Sequence, residues 1–249
     1  MENKDFEMPK GKANEQILVV PIIDASGSMT ENGNIGKVNE AMREVAGQLK
    51  KVEEDEDVEV LLAPIIFNSD AIWPLPKPVR PNEFVWYDVQ ASGGTNLGKA
   101  YTILSEKLTS KENGGWLDGY KGLAPILLLI SDGAPNVGWE TGFSTLKQKT
   151  WFAKSLRYAI AVEGADRSVL AQFTESTELI FDTEKLRVDL GTIIQKIIYT
   201  ATIGVSKGTE GKMNPDLPDA DKEQRENINK EVVAEVNNID KNGDDIFFN

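Results

Sequence analysis

Residues 125–130 read Pro-Ile-Leu-Leu-Leu-Ile, an apolar run without alternation of polar and apolar positions. A strand with one wet face alternates with period two, so an unbroken run of this length predicts a strand covered on both faces. Such strands belong to parallel sheets with helices on either side. The stretch Ile17-Leu18-Val19-Val20-Pro21-Ile22-Ile23 has the same character. Neither run approaches the roughly 20 residues of a membrane-spanning helix.

Around these two runs, strand-length segments alternate with helical periodicity. Ile35, Val38, Met42, Val45, Leu49 and Val52 recur at spacings of three and four and predict a helix with one apolar face. Strands are predicted at 58–67, 70–73 and near 84–87. Pro74, Pro76, Pro78 and Pro81 separate the last two and read as an irregular edge or loop. Leu97, Tyr101, Leu104 and Leu108 mark a second helix. Then follow a helix around 144–154, a strand at 157–162, a short helix at 166–174, a strand at 178–181 and a helix over 184–202. The expected fold class is α/β, a doubly wound, mostly parallel sheet with helices on both faces. Pro21, Pro64 and Pro125 lie in or beside interior strands, where the missing N–H removes a ladder bond, so bulges or strand starts are expected there.

Residues 1–15 form an N-terminal lead that mixes acidic and basic residues with no apolar core, unlike a secretory signal. A cytoplasmic protein is therefore expected, with its folded domain at 16–204. Residues 205–249 differ in kind: 11 acidic and 6 basic residues leave a net charge of −5 on an acidic linker and amphipathic C-terminal helix. Asp221 and Gln224 could cap that helix, whose apolar stripe is Ile228, Val232, Val236 and Ile239. The stripe either packs on its own domain or serves as a partner-binding arm. Asp240, Asn242 and Asp244 do not make an EF-hand, because loop position six is Asp245 rather than glycine and the sequence stops short of position twelve.

The chain contains no cysteine and no histidine. That excludes disulfides, thiol nucleophiles, zinc clusters of the usual kind and imidazole acid–base catalysis. A formal net charge of −13, with no basic run to offset it, argues against nucleic acid and against an anionic membrane as partners. Chemistry must come from oxygen. Asp24, Ser26 and Ser28 place one carboxylate and two hydroxyls within five residues at the end of an apolar strand. Ser92-Gly93-Gly94-Thr95-Asn96-Leu97-Gly98 sets a hydroxyl in a glycine-rich turn before a helix, and Ser131-Asp132-Gly133-Ala134-Pro135-Asn136 sets a carboxylate at the end of the most apolar strand.

Taken singly, each cluster reads as a turn. Together they are expected at the carboxyl ends of strands, where open α/β sheets bind ligands. Asp24, Ser26, Ser28, Thr95 and Asp132 then offer an all-oxygen set suited to Mg²⁺ or Mn²⁺. Two carboxylates at most neutralise a divalent ion, and an open coordination position would favour an external anion. A glutamate or aspartate carboxylate from a partner protein is the candidate. Trp139 and Glu140 follow the third cluster; a packed tryptophan is the expectation, a contact with the partner the alternative.

D-x-S-x-S, the later threonine and the later Asp-Gly resemble the metal-ion-dependent adhesion site of von Willebrand factor type A domains, over roughly residues 16–202. Within that family, ASGGTNLG (91–98), SDGAPN (131–136) and RYAIAVEGAD (157–166) look most like the bacterial tellurium-resistance TerY-like proteins. Asn136 and Val137 depart from the Pro-Thr-Asp with which such proteins often continue. The resemblance implies Ser26, Ser28 and Thr95 as hydroxyl ligands, with Asp24 and Asp132 binding directly or through water. It also implies a role in tellurite or other chemical stress, beside a kinase or phosphatase of a stress-response cluster.

Two alternatives compete with a binding module. A metal-dependent phosphohydrolase could use the ion to polarise a phosphoryl group. However, Ser26 stands where an aspartyl phosphatase would want its second aspartate, and Gly36-Lys37 is followed by valine, with Glu31 where a phosphate-binding loop needs its first glycine. A scaffold whose metal serves only folding would collapse when the ion is removed.

Overall fold

The computed structural model describes residues 16–56, 58–117, 123–132, 135–162, 165–186, 188–207 and 218–239. Its strands are β1 (Gln16–Asp24), β2 (Glu59–Leu62), β3 (Ile65–Phe67), β4 (Ala71–Ile72), β5 (Ile126–Ser131), β6 (Leu156–Ala161) and β7 (Ile180–Asp182). They form one sheet in the order β4-β3-β1-β5-β6-β7, with β2 also pairing β1. Every pairing is parallel except β3 with β4 at the edge.

Helices α1 (Asn34–Glu56), α7 (Leu190–Lys207) and α8 (Pro218–Asn238) lie on one face, and α2 (Leu97–Lys107), α3 (Trp139–Lys147), α4 (Thr150–Lys154) and α5 (Arg167–Thr174) on the other. The short α6 (Thr183–Leu186) leads from β7 toward α7. Alternate residues of β1 supply the two cores: Ile17, Val19 and Ile23 face α1 and α7, while Leu18, Val20 and Ile22 face α2 and α3. In β5, Ile126, Leu128 and Ile130 join the first core, and Leu127 and Leu129 the second. The unbroken apolar run is therefore one strand serving two cores.

The three prolines have separate solutions. In a parallel ladder, alternate residues direct both backbone polar groups to the same neighbour. Val19 O accepts from Ala63 N at 3.1 Å and Ala25 N donates to Phe67 O at 2.7 Å, so Pro21 turns its missing N–H toward the same side. There β1 faces the junction between β2, which pairs as far as Val19, and β3, which pairs from Ile22. Pro64 lies in that junction, so what reads as one strand over 58–67 is two. Pro125 directly precedes β5.

Three other segments differ from expectation. Residues 84–87 are extended but are not a strand. Phe84 and Trp86 pack inward while Val85 and Tyr87 face solvent, an alternation that imitates a strand. Asn39 of α1 takes the place of a neighbouring strand: Trp86 Nε1 and Val89 N donate to its Oδ1 at 3.0 and 2.9 Å, and its Nδ2 donates to Val89 O at 3.0 Å. The helix expected over 144–154 is α3 and α4, broken at Gln148 and Lys149. The helix expected over 184–202 is α6 and α7, divided where Asp189 caps α7 by accepting from Gly191 N at 2.8 Å and Thr192 N at 2.9 Å.

Helix α8 begins at Pro218, so Asp221 lies inside it rather than ahead of it; proline suits a first helical position because its φ is already helical. Ile228, Val232, Val236 and Ile239 are buried in the core shared with α7. Tyr158 Oη donates to Asn229 Oδ1 at 2.9 Å, and Lys196 pairs with Glu235 at 2.6 Å. The stripe packs on its own domain. Asp240, Asn242 and Asp244 lie outside the described residues. Among the described residues, no helix is long and apolar enough to cross a membrane.

Candidate metal centre

The ends of β1 and β5 are neighbours in the sheet, which brings Asp24 beside Ser131 and Asp132. The Asp24 side chain is fully buried. Its Oδ1 accepts from Ser26 N at 2.8 Å, and its Oδ2 accepts from Ser131 Oγ at 2.7 Å. Ser26 Oγ lies 3.1 Å from Ser28 Oγ, and Ser28 Oγ donates to Asp132 Oδ1 at 2.9 Å. Four of the five residues singled out in the sequence thus form one connected set of side chains.

Thr95 joins this set through its backbone. Its loop follows the extended segment held by Asn39 rather than a strand end, and hydrogen bonds carry it to the sheet edge. Ser92 N donates to Ala25 O at 2.8 Å and Gly27 N donates to Gly93 O at 3.0 Å. Asn96 N donates to Asn68 O at 2.6 Å, just beyond β3, and Asn136 N donates to Thr95 O at 2.9 Å. Ser69 Oγ accepts from Gly94 N at 2.8 Å. Gly93 has φ of +77°, and a Cβ there would lie 2.6 Å from Ser69 Oγ, so glycine is required.

Burial raises the Asp24 pKa above the usual aspartate value, against hydrogen bonds from Ser26 and Ser131 that favour the charged form. Asp132 is raised as well, first by burial and further by the negative charges of Asp24 and Glu31, while the Ser28 hydroxyl opposes the shift. Among the described residues, no lysine or arginine pairs with either carboxylate. Two buried carboxylates facing shared hydroxyls without a cationic partner are short of positive charge. A hard divalent ion would supply it, and the all-oxygen donor set fits one.

Sequence reasoning missed the residues that hold the set together. Ser131 stands beside Asp132 in the sequence cluster, but only the fold makes it the donor that fixes Asp24. Ser69 and Asn136 brace the Thr95 loop from two other loops, and Asn39 does so from α1. A buried polar residue on an otherwise apolar helix face was the available signal for Asn39, which is 5% exposed. Trp139 packs against Tyr101 and Phe143 in the core, whereas Glu140 is exposed.

No protein-family model matches the sequence, and no curated protein matches it. Solved structures do match in three dimensions. Proximal thread matrix protein 1 from the mussel byssus, in a structure described as having a zinc-occupied MIDAS motif, aligns with a TM-score of 0.55 and 16% identity over 78% of this chain and 48% of its own. A von Willebrand factor type A protein from Catenulispora acidiphila aligns at 0.53 with 13% identity over 78% and 43%. The fold is that of a von Willebrand factor type A domain. The ArnB paralog VWA2 from Sulfolobus acidocaldarius shares it at 0.52, with 14% identity over 76% of this chain and 45% of that one. This chain spans about half the length of these von Willebrand factor A-type structures.

Proposed function

We propose that this chain is a metal-dependent protein-binding module, in which Asp24, Ser26, Ser28, Thr95 and Asp132 hold Mg²⁺ or Mn²⁺ for a glutamate or aspartate carboxylate of a partner. The observation that carries this reading is the pair of buried carboxylates, Asp24 and Asp132, joined through Ser26, Ser28 and Ser131 and lacking a cationic partner among the described residues. A bound ion supplies an electrophilic position for an external anion. Ser26 and Ser28 present neutral oxygens that leave its charge undiminished, and Ser131 fixes the orientation of Asp24. The zinc-occupied MIDAS motif in the structure of the mussel relative supports the same reading.

Backbone hydrogen bonds already join the three loops, which favours a binding role over a purely structural metal. Val137 is fully exposed on the third loop, two residues before α3 begins at Trp139, and offers an apolar contact beside the carboxylate position. A setting in bacterial tellurite or other chemical stress, with a kinase or phosphatase of the same cluster as partner, rests on the resemblance of residues 91–98, 131–136 and 157–166 to TerY-like proteins. So does the cytoplasmic location. Among the described residues, no feature of the site favours phosphoester hydrolysis over carboxylate binding.

The test is an affinity capture from bacterial lysate with wild type in Mg²⁺, wild type in chelator, and Asp24→Ala, each checked for folding by circular dichroism. A protein retained only by metal-loaded wild type is the expected result. Equal capture by all three folded baits would move the docking point away from the metal.

A further inference from the structure

Helices α2 and α3 each begin just after a loop of the metal centre, α2 after Thr95 and α3 after the loop that starts at Asp132. Where they cross, their backbones touch. A Cβ built on Gly142 would lie 2.1 Å from Gly98 O and 2.9 Å from Gly98 C, and one built on Gly98 would lie 2.8 Å from Trp139 Cα. These are backbone atoms of two helices, which cannot rotate aside as a side chain can. Any side chain at Gly142 therefore pushes the helices apart.

We propose that the Gly98–Gly142 contact sets the separation of Thr95 from Asp132, making both glycines positioning residues of the metal centre. This rests on the metal-dependent reading above. Gly98 is three residues from Thr95, and Asn136 N donates to Thr95 O at 2.9 Å, so the two loops are bonded directly at the end of the helix pair. One turn along α2 from Gly98, Tyr101 packs against Trp139 and Phe143, which flank Gly142 in α3, with ring centroids 6.3 and 5.2 Å away. These buried rings resist a shift at their end. A forced separation is relieved at the loops instead, where Thr95 and Asp132 sit.

Ions differ in how they tolerate such a change. Mg²⁺ demands near-ideal octahedral geometry at about 2.0–2.1 Å, whereas Ca²⁺ accepts irregular shells at about 2.3–2.6 Å. Displaced ligands should therefore penalise Mg²⁺ more than Ca²⁺. General loss of stability has no reason to discriminate between them.

The experiment is calorimetric titration of Mg²⁺ and Ca²⁺ into wild type, Gly142→Ala, the milder Gly98→Ala, and Gly47→Ala as a control in α1, where a Cβ meets nothing within 4 Å. Gly142→Ala is expected to weaken Mg²⁺ by about 10- to 100-fold, the range seen when groups supporting metal ligands are changed. Its Ca²⁺ affinity should fall less, Gly98→Ala should show the same trend, and Gly47→Ala should leave both unchanged. Unchanged affinities in folded contact variants, or equal losses for both ions, overturn the proposal. Loss of the fold in both contact variants overturns it too, by making the contact a requirement for folding. A wild type that binds neither ion refutes the metal-dependent reading itself, and the positioning role falls with it.

Discussion

Ser131 Oγ donates to Asp24 Oδ2 at 2.7 Å across 107 positions of sequence, linking the ends of two adjacent strands inside the candidate metal centre. The bond occupies Oδ2 of a buried carboxylate and leaves Oδ1 to accept from Ser26 N. Ser131→Ala should leave the protein folded, at a loss of about 1 kcal/mol. It should also weaken Mg²⁺ binding by about tenfold, as expected for a partner that supports a metal ligand. Thermal melts and calorimetric titration separate the two effects; undiminished affinity would deny Ser131 any part in orienting Asp24.

Asp24 and Asp132 both sit above the ordinary aspartate value of 3.8, each chiefly through burial. Without an ion, a raised folded-state pKa contributes stability that is fully present below the unfolded value and lost as pH rises through the folded value. A divalent ion competes with the same protons. Its stabilising effect should therefore grow as pH rises above 3.8 through the raised values, with protons released on binding. Melting temperatures with and without Mg²⁺, followed from acidic to neutral buffer, check the sign. An increment independent of pH would place the ion elsewhere.

Asp189 behaves in the opposite sense. Burial works to raise its pKa, but hydrogen bonds from the Thr192 hydroxyl and amide and from Gly191 outweigh it, and the net shift is downward. A lowered folded-state pKa contributes stability present above the unfolded value and lost as pH falls through the folded one. Asp189→Ala should cost about 0.5–2 kcal/mol at neutral pH, the usual range for a lost helix cap. The difference from wild type should shrink as acid protonates Asp189, which denaturant melts over that interval would show.

Val232 is fully buried between α8 and α7, and Asn229 accepts from the Tyr158 hydroxyl one turn earlier. Val232→Asp would bury an uncompensated charge, so α8 should detach while the sheet remains intact. Amide exchange should then accelerate along α8 and the face of α7 beneath it. Tyr158→Phe should keep α8 docked and cost about 1 kcal/mol. Slow exchange in α8 of Val232→Asp would show that its docking does not depend on the apolar stripe.

Val137 contacts solvent on every side, so Val137→Gln should change stability by no more than about 0.5 kcal/mol. Mg²⁺ affinity should also be unchanged, while capture of a metal-dependent partner weakens. A captured partner indifferent to the substitution would confine its contact to other loops.

The sheet was legible because its signals are local. An apolar run without alternation has few structural solutions, and the stripes of α1, α2 and α8 repeat at helical spacing. The convergence of Asp24, Ser26, Ser28 and Asp132 was legible for a related reason, since oxygen-bearing residues at the ends of apolar strands meet once those strands are neighbours. What escaped were relationships no window of sequence contains. Asn39 substitutes for a strand partner fifty residues away, so an alternating segment at 84–87 looks like a strand and is not one. The division between α6 and α7 depends on whether Asp189 caps or continues a helix, and tertiary packing decides that.

The meeting of Pro21 with the β2–β3 junction also bears on how the sheet assembles. Strand register is ordinarily enforced by a dry and a wet face, because a slip of one residue exchanges them. In β1 and β5 both faces are apolar, and that penalty is largely absent. A proline that can face only an interruption in its neighbour restores the discrimination, since a shifted pairing would set a carbonyl against the ring and leave it without a donor. During folding, Pro21 thus serves as an alignment mark for strands whose hydrophobicity alone would let them pair one residue out of place.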